Sequence, residues 1–133
     1  YNPDHELTSK IINDIAVMIP IPHLKTKNPP YDKIPKIFYW ETVYGLGFVP
    51  TDYVDITDFF ETKKQMLNCH ESQKQWMADN YKDAFADDPT GESFFENILL
   101  TARYRGMQCG VKYAEAFIRA YDAFRVTADR VLP

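Results

Sequence analysis

The chain has 133 residues, 45% of them hydrophobic and 15% aromatic, with a formal net charge of −4. That is enough length and apolar content for one domain with a core, and too much apolar content for a disordered segment. Acidic and basic residues are interspersed without a Lys/Arg stripe, and no apolar run reaches membrane-spanning length, so nucleic acid and a membrane span are both disfavoured.

The first stretch, Asn2-Pro3-Asp4-His5, reads as a helix start. Asn2 is a good N-cap, Pro3 suits the first helical position, and Asp4 complements the positive end of the helix dipole. His5 follows in the same turn, and a neutral imidazole is the form that binds a metal. Leu7, Ile11, Ile12, Ile15 and Met18 then recur at helical spacing, so this helix is expected to pack one face on a sheet, and Pro20 and Pro22 end it. Residues 23–35 hold His23, three lysines and three prolines and read as a loop, with His23 a solvated loop residue.

Lys36 to Glu41 is rich in aromatic and β-branched residues and reads as a strand. The loop after it carries Tyr44, Gly45 and Gly47, and fits either a mobile cover over a ligand or an ordinary surface connection. Asp52 to Ile56 is a short strand. Thr57 or Asp58, with Glu61, is expected to cap a helix on which Phe59, Phe60, Lys63, Met66, Leu67 and His70 share a side.

Residues 71–86 look helical, with Trp76, Met77, Tyr81 and Phe85 as packing positions, and Asp87-Asp88-Pro89-Thr90-Gly91 is a break. A helix restarts near Glu92, with Phe94, Phe95, Ile98, Leu99 and Ala102 inward and Arg103 and Arg105 at its end before Gly106. Those arginines fit a helix C-terminus, or one of them reaches a sugar hydroxyl or phosphate. Residues 110–133 fit a strand or a helix equally. Cys69 and Cys109 lack the spacing of a zinc motif and are expected to be reduced and buried.

Four segments together resemble the zinc-dependent de-N-acetylases of the PIG-L/LmbE-like family. Asn2-Pro3-Asp4-His5 is similar to the family's His-Pro-Asp-His segment, and Val54-Asp55-Ile56-Thr57-Asp58 matches its Val-Asp-Ile-Thr-Asp segment. His70-Glu71-Ser72-Gln73 matches His-x-Ser-Gln, and Gly110 to Phe117 resembles its final stretch, which favours a strand there.

The resemblance implies an α/β, Rossmann-like layered fold. It also implies that residues 1–133 are the C-terminal part of one domain, because the family's other metal-binding segment, His-Pro-Asp-Asp, does not occur in this sequence. It implies a hydrolase removing acetyl from an N-acetylglucosamine-type group with Zn2+ as cofactor. His5 would be one zinc ligand, Asn2 and Asp4 would lie in the catalytic machinery, and His70 and Tyr44 would lie on the substrate side.

Asn2 stands where relatives carry His; its amide donates a hydrogen bond but cannot carry a proton. Since a catalytic zinc takes about three protein ligands, the chain on its own is expected to be inactive. The expected partner is an N-acetylated sugar or sugar conjugate, with a homo-oligomer possible. Cytoplasmic residence is expected, although a targeting segment upstream of Tyr1 would change it. The alternative is a non-catalytic carbohydrate-binding or assembly module, using the aromatic loop at residues 39–53.

Overall fold

The computed structural model describes residues 2–42, 44–80 and 92–120. They form four α-helices and three strands in the order α1 (Pro3–Met18), β1 (Phe38–Trp40), β2 (Asp52–Asp55), α2 (Phe60–Asn68), α3 (Glu71–Asn80), α4 (Glu92–Cys109) and β3 (Ala114–Arg119). The strands make one sheet in the order β1-β3-β2, so the chain is a mixed α/β structure. The described residues fall into two compact units, one of residues 2–39 with 119 and 120, the other of residues 40–118.

In the first unit, α1 begins as its sequence dictates. The Asn2 side-chain oxygen accepts the Asp4 N–H at 3.0 Å, and Pro3 occupies the first turn, where a missing N–H costs nothing. The expectation that one face packs on a sheet is not met. Leu7, Ile11, Ile12, Ile15 and Met18 are exposed, and Ala16 is the helix's buried residue. The chain beyond α1 returns on itself through Tyr31 N–H to Ile19 O at 3.0 Å. The Tyr39 hydroxyl reaches Asn13 at 3.1 Å, and the Arg119 guanidinium sits 5.7 Å over the Phe38 ring.

The second unit is organised by β2 and β3, which pair antiparallel with Asp52 opposite Phe117 and Asp55 opposite Ala114. Side chains alternate across a strand, so Ala114 and Ala116 share one buried face of β3 while Glu115 and Phe117 point the other way. Ile56, Phe60 and Ala102 form a small apolar cluster against which Val54, Leu99 and Tyr113 pack, and Phe60 and Tyr113 stack nearly parallel. The stretch from Ala114 that sequence left open between strand and helix is thus a strand to Arg119; the remainder beyond Ala120 lies outside the described residues.

Three local expectations change. The helix after β2 is not capped by Thr57 or Asp58: the Asp55 carboxylate accepts the Thr57 N–H at 2.9 Å, and a single 3-10 turn, Thr57–Phe59, leads into α2. That tighter turn rotates the stripe, so Phe60, Lys63 and Leu67 face inward while Phe59 and Met66 are exposed. α4 does not stop before Gly106 but runs to Cys109. A side chain at Gly106 would overlap the backbone of Val111 and Lys112, so glycine is there for close approach and not as a stop. The stop is Gly110, at φ 82°, with Val111 N–H returning to Gly106 O at 2.9 Å.

Cys69 and Cys109 are free, as expected, but exposed rather than buried. Each thiol lies along its own helix end, bonding the carbonyl four residues earlier, Gln65 and Arg105. Tyr81, Phe85 and the Asp87–Gly91 break lie outside the described residues.

Hydrogen bonds from the Thr57 side chain and backbone hold the Asp55 carboxyl below its ordinary value. A carboxylate depressed in the folded state contributes stability above its unfolded value and loses it as pH falls through the folded value. The thermal midpoint of Asp55→Ala should therefore lie below wild type at pH 7, with the gap closing below about pH 4 in a melting series.

Candidate functional site

The segments singled out in the sequence sit in different units. Asn2, Asp4 and His5 occupy one turn at the start of α1, all exposed. The Asn2 side-chain oxygen is committed to the cap, which leaves its amide nitrogen as the donor. Asp4 O accepts the Thr8 hydroxyl at 2.7 Å, and His5 N–H bonds Asn2 O at 3.1 Å, so the turn is fully closed by local bonds.

Tyr44 and His70 belong to the other unit, on separate elements. Tyr44 is exposed on the loop after β1. His70 is exposed at the junction of α2 and α3, where its carbonyl accepts the N–H groups of Gln73 and Lys74, both at 3.1 Å. It ends α2 and starts α3 through its backbone.

Two segments far apart in sequence meet directly. The Ile56 N–H bonds Tyr113 O at 3.0 Å, and Tyr113 N–H bonds the Thr57 hydroxyl at 3.3 Å. Residues 54–57 therefore run alongside residues 113–115, with Val54 opposite Glu115 and Asp55 opposite Ala114, and α2 carries the chain from that pairing to His70.

The strongest feature of the second unit is one that local sequence did not reveal. Arg105 and Glu41 form a salt bridge whose side chains are only 3% and 6% exposed. The Arg105 Nε bonds both Glu41 oxygens at 3.0 Å, Nη2 reaches Oε2 at 2.5 Å, and Nη1 donates to Gln108 Oε1 at 2.7 Å. Gln108 in turn donates to the Tyr104 hydroxyl at 3.1 Å. The hydrogen bonds to Glu41 raise the Arg105 guanidinium further above its ordinary value, so the guanidinium stays charged.

Arg105 is thus neither a helix-end cation nor an arm reaching to a sugar or phosphate, since its donors are taken inside the fold. Gly45, at φ 58°, lets the loop cross this pair, because a side chain there would collide with both partners. No hydrophobic period marks such a pair; the only sequence signal was an acidic residue ending an aromatic strand.

Beside Glu41 lies a cavity of 210 Å3 lined by Trp40, Lys63, Ile98, Ala102, Ala114 and Glu115 among others. Its walls are largely apolar, and the Lys63–Glu115 ion pair at 2.8 Å supplies charge on one side, with Lys63 also 5.7 Å over the Trp40 ring. Trp40 stacks on Phe117 and is largely exposed.

Among the described residues no group of three or more His, Cys, Asp or Glu side chains converges as a metal site, and no helix is long and apolar enough to cross a membrane. No family model matches the chain, and no solved structure matches it.

Removing one partner of a buried, hydrogen-bonded ion pair strands the other charge. Glu41→Ala and Arg105→Ala should each cost about 3–5 kcal/mol in denaturant unfolding. The double replacement should cost clearly less than the sum of the two, which a double-mutant cycle will read directly.

Proposed function

We propose that the chain belongs to a metal-dependent hydrolase that removes acetyl from an N-acetylglucosamine-type group, with a Rossmann-like LmbE fold. The observation that carries this reading is the pairing of two of the four segments on which the resemblance rests. Residues 54–57 and 113–115, more than fifty positions apart, lie side by side, with Val54 opposite Glu115, Asp55 opposite Ala114 and reciprocal bonds between Thr57 and Tyr113. The same β2–α2 unit then leads to His70.

In this reading His5 supplies a zinc ligand from the first turn of a capped helix. Asn2 donates a hydrogen bond near the reacting carbonyl, and Asp4 steadies the turn that aims the imidazole. His70 and Tyr44 lie toward the sugar. His5 by itself does not fit a catalytic zinc, which takes about three protein ligands with one position left open. The further donors would come from outside the described residues. Bound there, zinc would polarise the acetyl carbonyl and make water a nucleophile at neutral pH. Residence in the cytoplasm and an N-acetylated sugar conjugate as substrate follow from the same reading.

The exposed Trp40 and Tyr44 favour a second reading, in which the chain binds carbohydrate without cleaving it.

The two separate on one substitution. In the natural gene product, His5→Ala should lower release of free amine from N-acetylglucosamine conjugates by a factor of at least about 100, as loss of a metal ligand does. Amine release at the wild-type rate removes His5 from the mechanism. Absence of release from wild type, with sugar binding that Trp40→Ala abolishes, selects the binding module.

A further inference from the structure

The outer face of α4 carries Leu100, Tyr104 and Met107 at helical spacing, and they are 60%, 51% and 72% exposed. Large apolar side chains one and two turns apart on a solvent face are not needed to hold the helix, which packs through Phe95, Leu99 and Ala102. They form one wall of a groove of 540 Å3 whose other wall is Val111 and Lys112.

That second wall is fixed in place. Gly106 allows the backbone of residues 111 and 112 to lie against the helix, and Gly110 turns the chain back through its left-handed conformation. Tyr104 is equally fixed, because its hydroxyl holds Gln108 and its ring lies 5.1 Å from the buried Arg105 guanidinium. A rigid aromatic beside a flexible Met is the composition of a recognition surface.

The charge of the groove sets what fits it. Arg103 lies in it, exposed, with no hydrogen bond or ion pair to any described residue. Among the described residues, Lys112 meets the Tyr113 ring, 5.2 Å away. No described carboxylate lines the groove, although the whole chain carries a net charge of −4. A locally cationic, apolar-floored channel attracts an acidic, partly apolar occupant.

We propose that this groove docks an acidic amphipathic helix of a partner protein. Apolar side chains of that helix lie on Leu100, Tyr104 and Met107, and its carboxylates meet Arg103 and Lys112. The contact is small, so it is a weak, reversible attachment and not a permanent subunit interface.

The probe is a labelled synthetic peptide of about 18 residues, long enough to form helix on binding, with Leu and Phe at positions i, i+3, i+4 and i+7 and Glu elsewhere. Fluorescence anisotropy against the 133-residue chain should give saturable binding, weakening several-fold between low salt and about 0.3 M salt. Arg103→Glu and Met107→Glu should each weaken it about tenfold or more. Both positions are exposed, and circular dichroism will verify that the variants keep the native helix signal.

Equal binding of a peptide with Lys in place of Glu overturns the proposal, since it reports apolar adhesion alone. Unchanged affinity in both variants overturns it as well. Dimerisation of the wild type in sedimentation, lost in Met107→Glu, assigns the groove to a second copy. Binding to phosphatidylserine vesicles with the same variant dependence, without peptide binding, assigns it to a membrane surface.

Discussion

The Glu41–Arg105 pair governs the arrangement of the larger unit. Two charges cannot be taken out of water at a tolerable cost unless their geometry is close and their remaining donors are satisfied. Here the fork of the guanidinium meets the carboxylate through three bonds and passes its other nitrogen to Gln108. That requirement fixes the residue after β1 against the C-terminal part of α4. It brings the loop across the top, with Phe48 O accepting from Arg105 at 3.4 Å, and it places a positive-φ glycine where any side chain would collide with the pair.

The neighbouring Gly106 works in the same helix turn for a different reason. It brings the chain leaving α4 close enough that β3 starts directly beside β2. One turn of α4 therefore carries both the charge that anchors the loop and the space that admits the strand. The Tyr113 that follows this turn bonds Thr57 and stacks on Phe60, which ties the sheet to α2. The three short strands gain much of their order from these side-chain and backbone ties, since strands of three to six residues hold few ladder bonds of their own.

Sequence reasoning read well wherever the cause was local. The start of α1 at Asn2 and Pro3, the restart of a helix at Glu92 and the strands around residues 38 and 54 all follow from caps and β-rich runs within a few residues. It read poorly where the cause was distant. Phase on α2 failed because a 3-10 turn, induced by Asp55, precedes the helix and moves Phe59 and Met66 outward. Arg105 reads from sequence as a helix-end cation or an arm to a sugar or phosphate, because its partner, 64 positions away, leaves no periodic trace. The turn holding Asn2, Asp4 and His5 was legible for the same reason that the caps were: its bonds run between residues two to four apart.

The chain's own sequence determined where most helices and strands begin and that the fold mixes both, because propensities and caps act over a few bonds. Only the tertiary structure decided which arginine is buried, which face of α2 and of α4 meets solvent, and that residues 54–57 lie along residues 113–115. Those outcomes depend on burial and on pairing across long stretches of chain, where a charge is tolerable only opposite its partner and a strand is stable only beside its neighbour.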